Sequence, residues 1–324
     1  MTMGTGGLQM TEIDLEVRKP QAVRAGSVLM PFAPASPADF AKVNAGADEL
    51  RRLGFQVEDA TPLTPEEFFA GPVAGRREEF VAAVSREDIE GLVAVRGGYG
   101  ASYILDGLTL SDAERARVVL GYSDLTSLQV FLWMRYRWVS FYGPMLAAGL
   151  EAGADAPKGY HKASLLAAIG ETQQNWALNL RGESLLRGEC DGRVLGGCLT
   201  LVETTLGTPW ELDTRGAILL LEDRGMKPWQ VDRSLMHLKQ AGKFAEVRGF
   251  VLGDFPECDA PMAGSPSVRD VCARILAPLG VPIVYGAPVG HTLRPMLTVP
   301  LGVRAHLRAD GAGELAFLEA AVIG

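Results

Sequence analysis

The stretch Val118-Val119-Leu120-Gly121-Tyr122-Ser123-Asp124-Leu125 decides how this chain is read. An apolar run ends at Leu120, and helix-like spacing runs from Leu125 to Arg135. A strand that turns through a glycine straight into a helix is the repeating unit of an α/β fold. The turn also presents Ser123. The N–H groups of the helix start face the same space, and the helix dipole favours negative charge there. A nucleophilic serine is useful at such a point. Serine is equally common at such a junction as a simple helix cap, so the residue alone leaves both roles open.

Outward from Ser123 the first half alternates strands and helices. Val28–Met30, Phe55–Val57, Leu92–Val95, Val118–Leu120 and Val139–Phe141 read as strands, and Ala38–Leu53 and Arg76–Val84 as helices. Apolar strands alternating with helices imply a doubly wound parallel sheet covered on both faces. Residues 151–182 read as a connection. Beyond it, Gly192–Val202, Ala217–Glu222, Val247–Leu252 and Ile283–Tyr285 read as strands, joined by the pair Leu297–Val299 and Val303–Leu307. Trp229–Gln240 and Ser267–Leu276 read as helices. The expected organisation is a disordered or extended N-terminus over 1–25 and an N-terminal α/β domain over 26–160 that carries the nucleophile. A connector over 161–185 then leads to a smaller C-terminal α/β domain over 186–324.

Composition excludes several classes. Apolar residues make up 48% and charged residues 22%, as in ordinary globular enzymes. A net charge of −8 without a basic stripe argues against a nucleic-acid partner. The pairs Arg51-Arg52 and Arg76-Arg77 read as solvated helix faces. No apolar run approaches the ~20 residues that span a bilayer, and the N-terminus lacks a signal-peptide pattern. The expectation is a cytoplasmic protein with no membrane partner. Cys190, Cys198, Cys258 and Cys272 match neither zinc nor disulfide spacing, and the 4 histidines form no HxxxH or HxH, so no metal site is expected.

A serine nucleophile needs a base, usually a neutral imidazole. His161 lies in a polar connector, His237 in an amphipathic helix, and His306 in an alternating strand. His291 follows Gly286-Ala287-Pro288-Val289-Gly290, on a loop of restricted backbone after a short strand, where functional residues concentrate. The base needs an orienting acid, and Glu222 and Asp223 end the apolar run Ala217–Leu221. Asp223-Arg224-Gly225 is also good turn chemistry. Donors for an oxyanion are offered by Arg96-Gly97-Gly98-Tyr99-Gly100, after a strand, together with the residue following the serine. The N–H groups of Gly98 and Asp124 are the candidates. The loop is neither GxGxxG nor a Walker loop, which makes a nucleotide site a poor reading. A substrate carboxylate, if one is bound here, would call for a cation. Arg96 is one candidate, with a salt bridge beneath the glycine loop as its other reading. Tyr99 and Tyr142 are further candidate substrate contacts.

Taken in order, Arg96–Gly100, Gly121–Thr126, Gly143-Pro144-Met145, Gly196–Leu201, Leu221-Glu222-Asp223, Val231-Asp232-Arg233 and Gly286–His291 resemble the L,D-carboxypeptidases. That family of serine peptidases includes muropeptide-recycling enzymes and the microcin C self-immunity peptidase. The resemblance runs from about residue 25 to 305 and rests on seven motifs in one order. It implies a triad of Ser123, Glu222 and His291, an oxyanion hole at Gly98 and Asp124, two domains, a homodimer, and no metal or organic cofactor. It further implies release of D-alanine from murein tetrapeptide, or hydrolysis of a related acyl linkage such as an aminoacyl-nucleotide analogue. A non-catalytic binding protein on the same scaffold is the remaining alternative. The chain departs from the family pattern at Tyr142, where His is frequent, at Cys198, where Asn is usual, and at Met226, where Glu is usual.

Overall fold

The computed structural model describes residues 16–60, 64–111, 115–173, 176–262 and 264–324. The first unit runs β1 (Val28–Phe32), α1 (Phe40–Arg52), β2 (Gln56–Val57), α2 (Val73–Ser85), β3 (Gly91–Ala94), α3 (Ala101–Leu105) and β4 (Val118–Gly121). A single 3-10 turn, Ser123–Leu125, leads into α4 (Thr126–Tyr136) and β5 (Ser140–Tyr142). There follow α5 (Lys162–Gly170), β6 (Ala177–Asn179), β7 (Glu183–Leu186), β8 (Gly188–Cys198), α6 (Leu199–Glu203), β9 (Ala217–Glu222), α7 (Pro228–Gln240), β10 (Gly249–Gly253), α8 (Val268–Leu276), β11 (Ile283–Ala287), β12 (Val299–Leu301), β13 (Arg304–Ala309) and β14 (Glu314–Phe317).

The first sheet has the order β12-β5-β4-β3-β1-β2, with β5 to β2 all parallel, as the alternating pattern requires. The second sheet is mixed, in the order β6-β14-β13-β8-β9-β10-β11-β7. It has eight strands against the six of the first. Its extra strands, β6, β7 and β14, are three or four residues long and partly exposed, so they carry little apolar signal. Two of them lie in the expected connector, which also holds α5.

A correction concerns the C-terminal pair of strands. Arg304–Leu307 falls in β13 of the second sheet, with Val303 just before it, but β12 crosses back and pairs antiparallel with β5 in the first. The chain from 16 onward is tied down as an extended segment. The Arg18 N–H donates to the Arg137 carbonyl at 2.8 Å, and the Ala22 N–H to that of Ile323 at 2.8 Å. The rest of the expected N-terminal tail lies outside the described residues.

Period-2 alternation places the two halves of the site. In β9, flanked by parallel β8 and β10, Ile218 and Leu220 join the core shared with the first sheet. Ala217, Leu219 and Leu221 pack into the other core, beneath α7 and α8. Glu222 is in phase with Ile218 and Leu220 and so faces the first sheet. Burying Ile218 to Leu221 contributes roughly 1.5–3 kcal/mol per side chain, which offsets the several kcal/mol cost of a buried carboxylate at the strand end. α4 is apolar nearly all round and buried along its first eight residues, with Leu128 and Leu132 in one core and Val130 and Trp133 in the other. The helix that starts behind Ser123 is therefore clamped between the two sheets.

Candidate active site

Ser123 sits just past the carboxyl end of β4, and the Gly97-Gly98 loop just past that of neighbouring β3. Ser123 is the first residue of the 3-10 turn, at φ +63. An L-residue in that region stores roughly 1–3 kcal/mol, and the buried α4 behind it holds the turn in place. The capping role does not apply, because the N-cap position is Tyr122 and no side chain caps the turn. Among the described residues the Ser123 hydroxyl has no hydrogen-bond partner and faces a cavity of about 650 Å³.

His291 lines the same cavity. Its Nδ1 lies 2.9 Å from Glu222 Oε2 and 3.2 Å from Oε1, and its N–H donates to Oε2 at 2.9 Å. Glu222 is fully buried. Close packing makes this fit possible: a Cβ at Gly290 would lie 2.4 Å from the Glu222 carboxyl carbon, and one at Gly253 2.4 Å from its Cβ. The carboxylate fixes the imidazole through Nδ1 and leaves Nε2 for the cavity side. Ser123 Oγ and His291 are not hydrogen-bonded to each other; such contacts are often long before substrate arrives. Tyr122 packs edge-on against the imidazole, with centroids 5.1 Å apart.

The other acid and the other histidines have separate duties. Asp223 accepts from Thr200 N–H at 2.9 Å and its hydroxyl at 2.7 Å, and from the Arg224 N–H at 2.7 Å. His161 caps α5, accepting the Ser164 N–H at 3.2 Å. His237 pairs with Glu203 and His306 with Asp191, both at the surface. Cys198 and Met226 surround the Asp223–Thr200 contact, with Cys198 Sγ 3.5 Å from Asp223 and Met226 Sδ 3.6 Å from the Thr200 hydroxyl. Neither departure from the family pattern lines the cavity.

The Gly98 and Asp124 N–H groups have no partner among the described residues. Gly98 adopts φ +109, and a Cβ there would strike Ser36 Oγ at 2.5 Å. A Cβ at Gly97 would lie 2.9 Å from Ser123 Cβ, 3.1 Å from its Oγ and 3.4 Å from Asp124 N. The Asp124 carboxylate accepts the Ala101 N–H at 2.7 Å, and burial pushes it up to about 6 against that hydrogen bond and the nearby Arg76 charge.

Arg76 is the residue that sequence reasoning missed. It is fully buried rather than a solvated face. It stacks on Phe69, donates to Gly71 O at 2.9 Å and Gly100 O at 2.9 Å, and also bonds Pro34 O. A buried cation that spends Nε and Nη1 on three carbonyls, with Nη2 left unpaired, braces the far end of the glycine loop. An Arg-Arg-Glu-Glu run on a helix gives no sign of this.

The three candidate substrate contacts separate. Arg96 lines the cavity and donates to Pro37 O at 3.1 Å; among the described residues it makes no ion pair, so the expected salt bridge is not formed. Tyr99 stands off the cavity, 48% exposed, in an aromatic cluster with Phe68, Phe69 and Tyr103. Tyr142 is fully buried with its hydroxyl on Glu222, so it cannot touch substrate in the cavity. No group of three or more His, Cys, Asp or Glu side chains among the described residues is arranged to hold a metal ion.

Burial works against the imidazolium of His291, but the Glu222 charge and hydrogen bond outweigh it and hold the pKa above an ordinary histidine's. A general base must be neutral, so activity is lost as pH falls through that raised value. The acid limb of kcat/KM is therefore expected above the ~6.5 of a free imidazole. A pH–rate profile with its limb below 6 would contradict the Glu222–His291 coupling.

Two family models match the chain, the LD-carboxypeptidase N-terminal domain over residues 31–143 and the LD-carboxypeptidase C-terminal domain over 191–307. The probable murein peptide carboxypeptidase of Bacillus subtilis is 32% identical over 311 residues, 94% of this chain and 95% of that one. The microcin C7 self-immunity protein MccF of Escherichia coli is 27% identical over 314 residues, 86% and 90% of the two chains. The solved muramoyltetrapeptide carboxypeptidase from Oxalobacter formigenes superposes with a TM-score of 0.80 at 25% identity, over 92% of this chain and all of that one. The chain belongs to the LD-carboxypeptidase family and is a serine carboxypeptidase.

Proposed function

We propose that this enzyme is an L,D-carboxypeptidase that removes the terminal D-alanine of murein tetrapeptide through a Ser123–His291–Glu222 triad. The observation that carries the proposal is the Glu222–His291 pair facing an unbonded Ser123 hydroxyl across one cavity. His291 takes the Ser123 proton as Oγ attacks the scissile carbonyl, and the Gly98 and Asp124 N–H groups receive the oxyanion. His291 then protonates the leaving amine of D-alanine. It next activates a water that cleaves the acyl-enzyme, which restores the serine. Glu222 keeps the imidazole oriented and stabilises its charged form throughout.

A carboxypeptidase must recognise a free carboxylate beside the scissile bond. Arg96 and Lys42 line the same cavity as Gly97 and Gly98 and make no ion pair among the described residues, which supports their meeting it. The similarity to murein peptide carboxypeptidases supports the substrate class, and so does the placement of Cys198 and Met226 away from the cavity. The likeness to MccF favours a second reading, cleavage of an aminoacyl-nucleotide analogue. The proposal includes the homodimer implied by the resemblance and the cytoplasmic location expected from the sequence composition; no described helix is long and apolar enough to cross a membrane.

Parallel assays with murein tetrapeptide and an aminoacyl sulfamoyl adenylate test the substrate. Release of D-alanine with a kcat/KM at least about 10⁴ M⁻¹s⁻¹ is the expected outcome. Turnover of the adenylate alone moves the assignment to the second reading.

A further inference from the structure

Tyr142 closes β5, the strand beside β4, and its hydroxyl is shared between the two halves of the site. It accepts the Ser123 N–H at 3.3 Å and donates to Glu222 Oε1 at 2.5 Å. The first contact belongs to the first sheet, the second to the end of β9 in the other. The ring is held on both sides. It packs edge-on to Tyr122 at 6.2 Å, and a Cβ at Gly197 would lie 3.1 Å from its Cε2. Burial, with the Glu222 charge, raises the phenol well above its ordinary range, so the hydroxyl keeps its proton.

We propose that Tyr142 is a positioning residue that ties the backbone of the nucleophile to the acid, holding Ser123 in its left-handed turn and setting how much of the Glu222 charge reaches His291. Its catalytic consequence rests on the triad reading above; the coupling of Tyr142 to the Glu222–His291 pair does not. Apart from His291's own N–H and Nδ1, the Tyr142 hydroxyl is the only hydrogen-bond partner of the Glu222 carboxylate among the described residues.

A neutral donor bonds an uncompensated carboxylate more strongly than one already paired with imidazolium. Removing the hydroxyl therefore costs the unprotonated pair more than the protonated pair. The proton affinity of the pair rises, whichever of the two partners holds the proton. Other ionisable groups facing the pair are Tyr122, Cys198, Asp223, Arg224, Glu257 and Cys258. None of them is removed by a change at Tyr142 that keeps the ring.

Tyr142→Phe keeps that ring. Its kcat is expected to fall about 10–100-fold with KM within about twofold, and the His291 pKa, read by NMR titration of labelled histidine, to rise by about one unit. The acid limb of kcat/KM should rise with it. A drop in kcat without movement of the His291 titration would mean a packing role only and overturn the proposal, as would wild-type values of both. Running the titration in a Ser123→Ala background separates the two claims. A shifted His291 there upholds the coupling even if Ser123→Ala proves active and the triad reading fails. If Tyr142→Phe does not fold, the wild-type protein still decides. The buried Tyr142 hydroxyl proton should give a downfield resonance that moves as His291 titrates, and a resonance indifferent to that titration sinks the idea.

Discussion

Ser123→Ala is expected to lower kcat by about 10⁴–10⁶-fold while leaving the protein folded. Chemistry and stability separate at this residue because of how it is held. Its hydroxyl bonds nothing among the described residues, so its removal leaves no buried group unpaired. Alanine inherits the same left-handed backbone at similar strain, and the anchor of the turn, the Ser123 N–H on Tyr142, is a backbone contact that survives the change. The unfolding free energy should move by no more than about 0.5 kcal/mol. Residual turnover above the uncatalysed rate would come from the oxyanion donors and from binding alone. The measurement is D-alanine release alongside urea unfolding of both proteins. Full activity in the variant would remove Ser123 from the mechanism, and lost activity with a large drop in stability would leave the nucleophile untested by this substitution, making His291→Ala the decisive partner.

How much of this was readable beforehand depended on whether the deciding interaction was local. The turn at Gly121–Asp124, the alternation along Ala217–Glu222 and the glycine-bounded His291 loop are local patterns, and each puts its residue at the carboxyl end of a strand in the structure. Period 2 in β9 even determines which sheet Glu222 faces. Val299-Pro300-Leu301 carries no such cue, being buried throughout, and three residues cannot say which of two sheets they join. Pro300 fits the edge position that β12 occupies. Arg76 and Tyr142 misled for a different reason. Their partners, Pro34, Gly100 and Glu222, lie 24 to 80 residues away, and composition around an arginine or tyrosine does not reveal which distant carbonyl or carboxylate it will meet. The strained φ of Ser123 was equally invisible, because tertiary packing rather than propensity imposes it.

Gly97→Ala is the substitution expected to damage catalysis most without touching a reacting group. Gly97 does not need a left-handed backbone, so the glycine is required for space alone. The added methyl would sit 3.1 Å from Ser123 Oγ and 3.4 Å from Asp124 N, in the gap where the oxyanion of an attacked carbonyl has to form. It would also press on Ser123 Cβ at 2.9 Å, a contact that the clamped turn can relieve only by rotating the serine away. Losing the use of one oxyanion donor costs about 10²–10³ in kcat, and displacement of the nucleophile adds to that. Overpacking at a loop edge should cost about 1–3 kcal/mol of stability, small enough for a folded protein to be assayed. KM should change less than kcat, since Arg96 and Lys42 stay in place. Gly98→Ala makes the contrast: with φ +109 and a clash onto Ser36, it should destabilise the loop itself as well as the site. A Gly97→Ala enzyme with wild-type kcat would show that the carbonyl oxygen does not develop its charge between Ser123 and Asp124, and the oxyanion hole would have to be sought elsewhere.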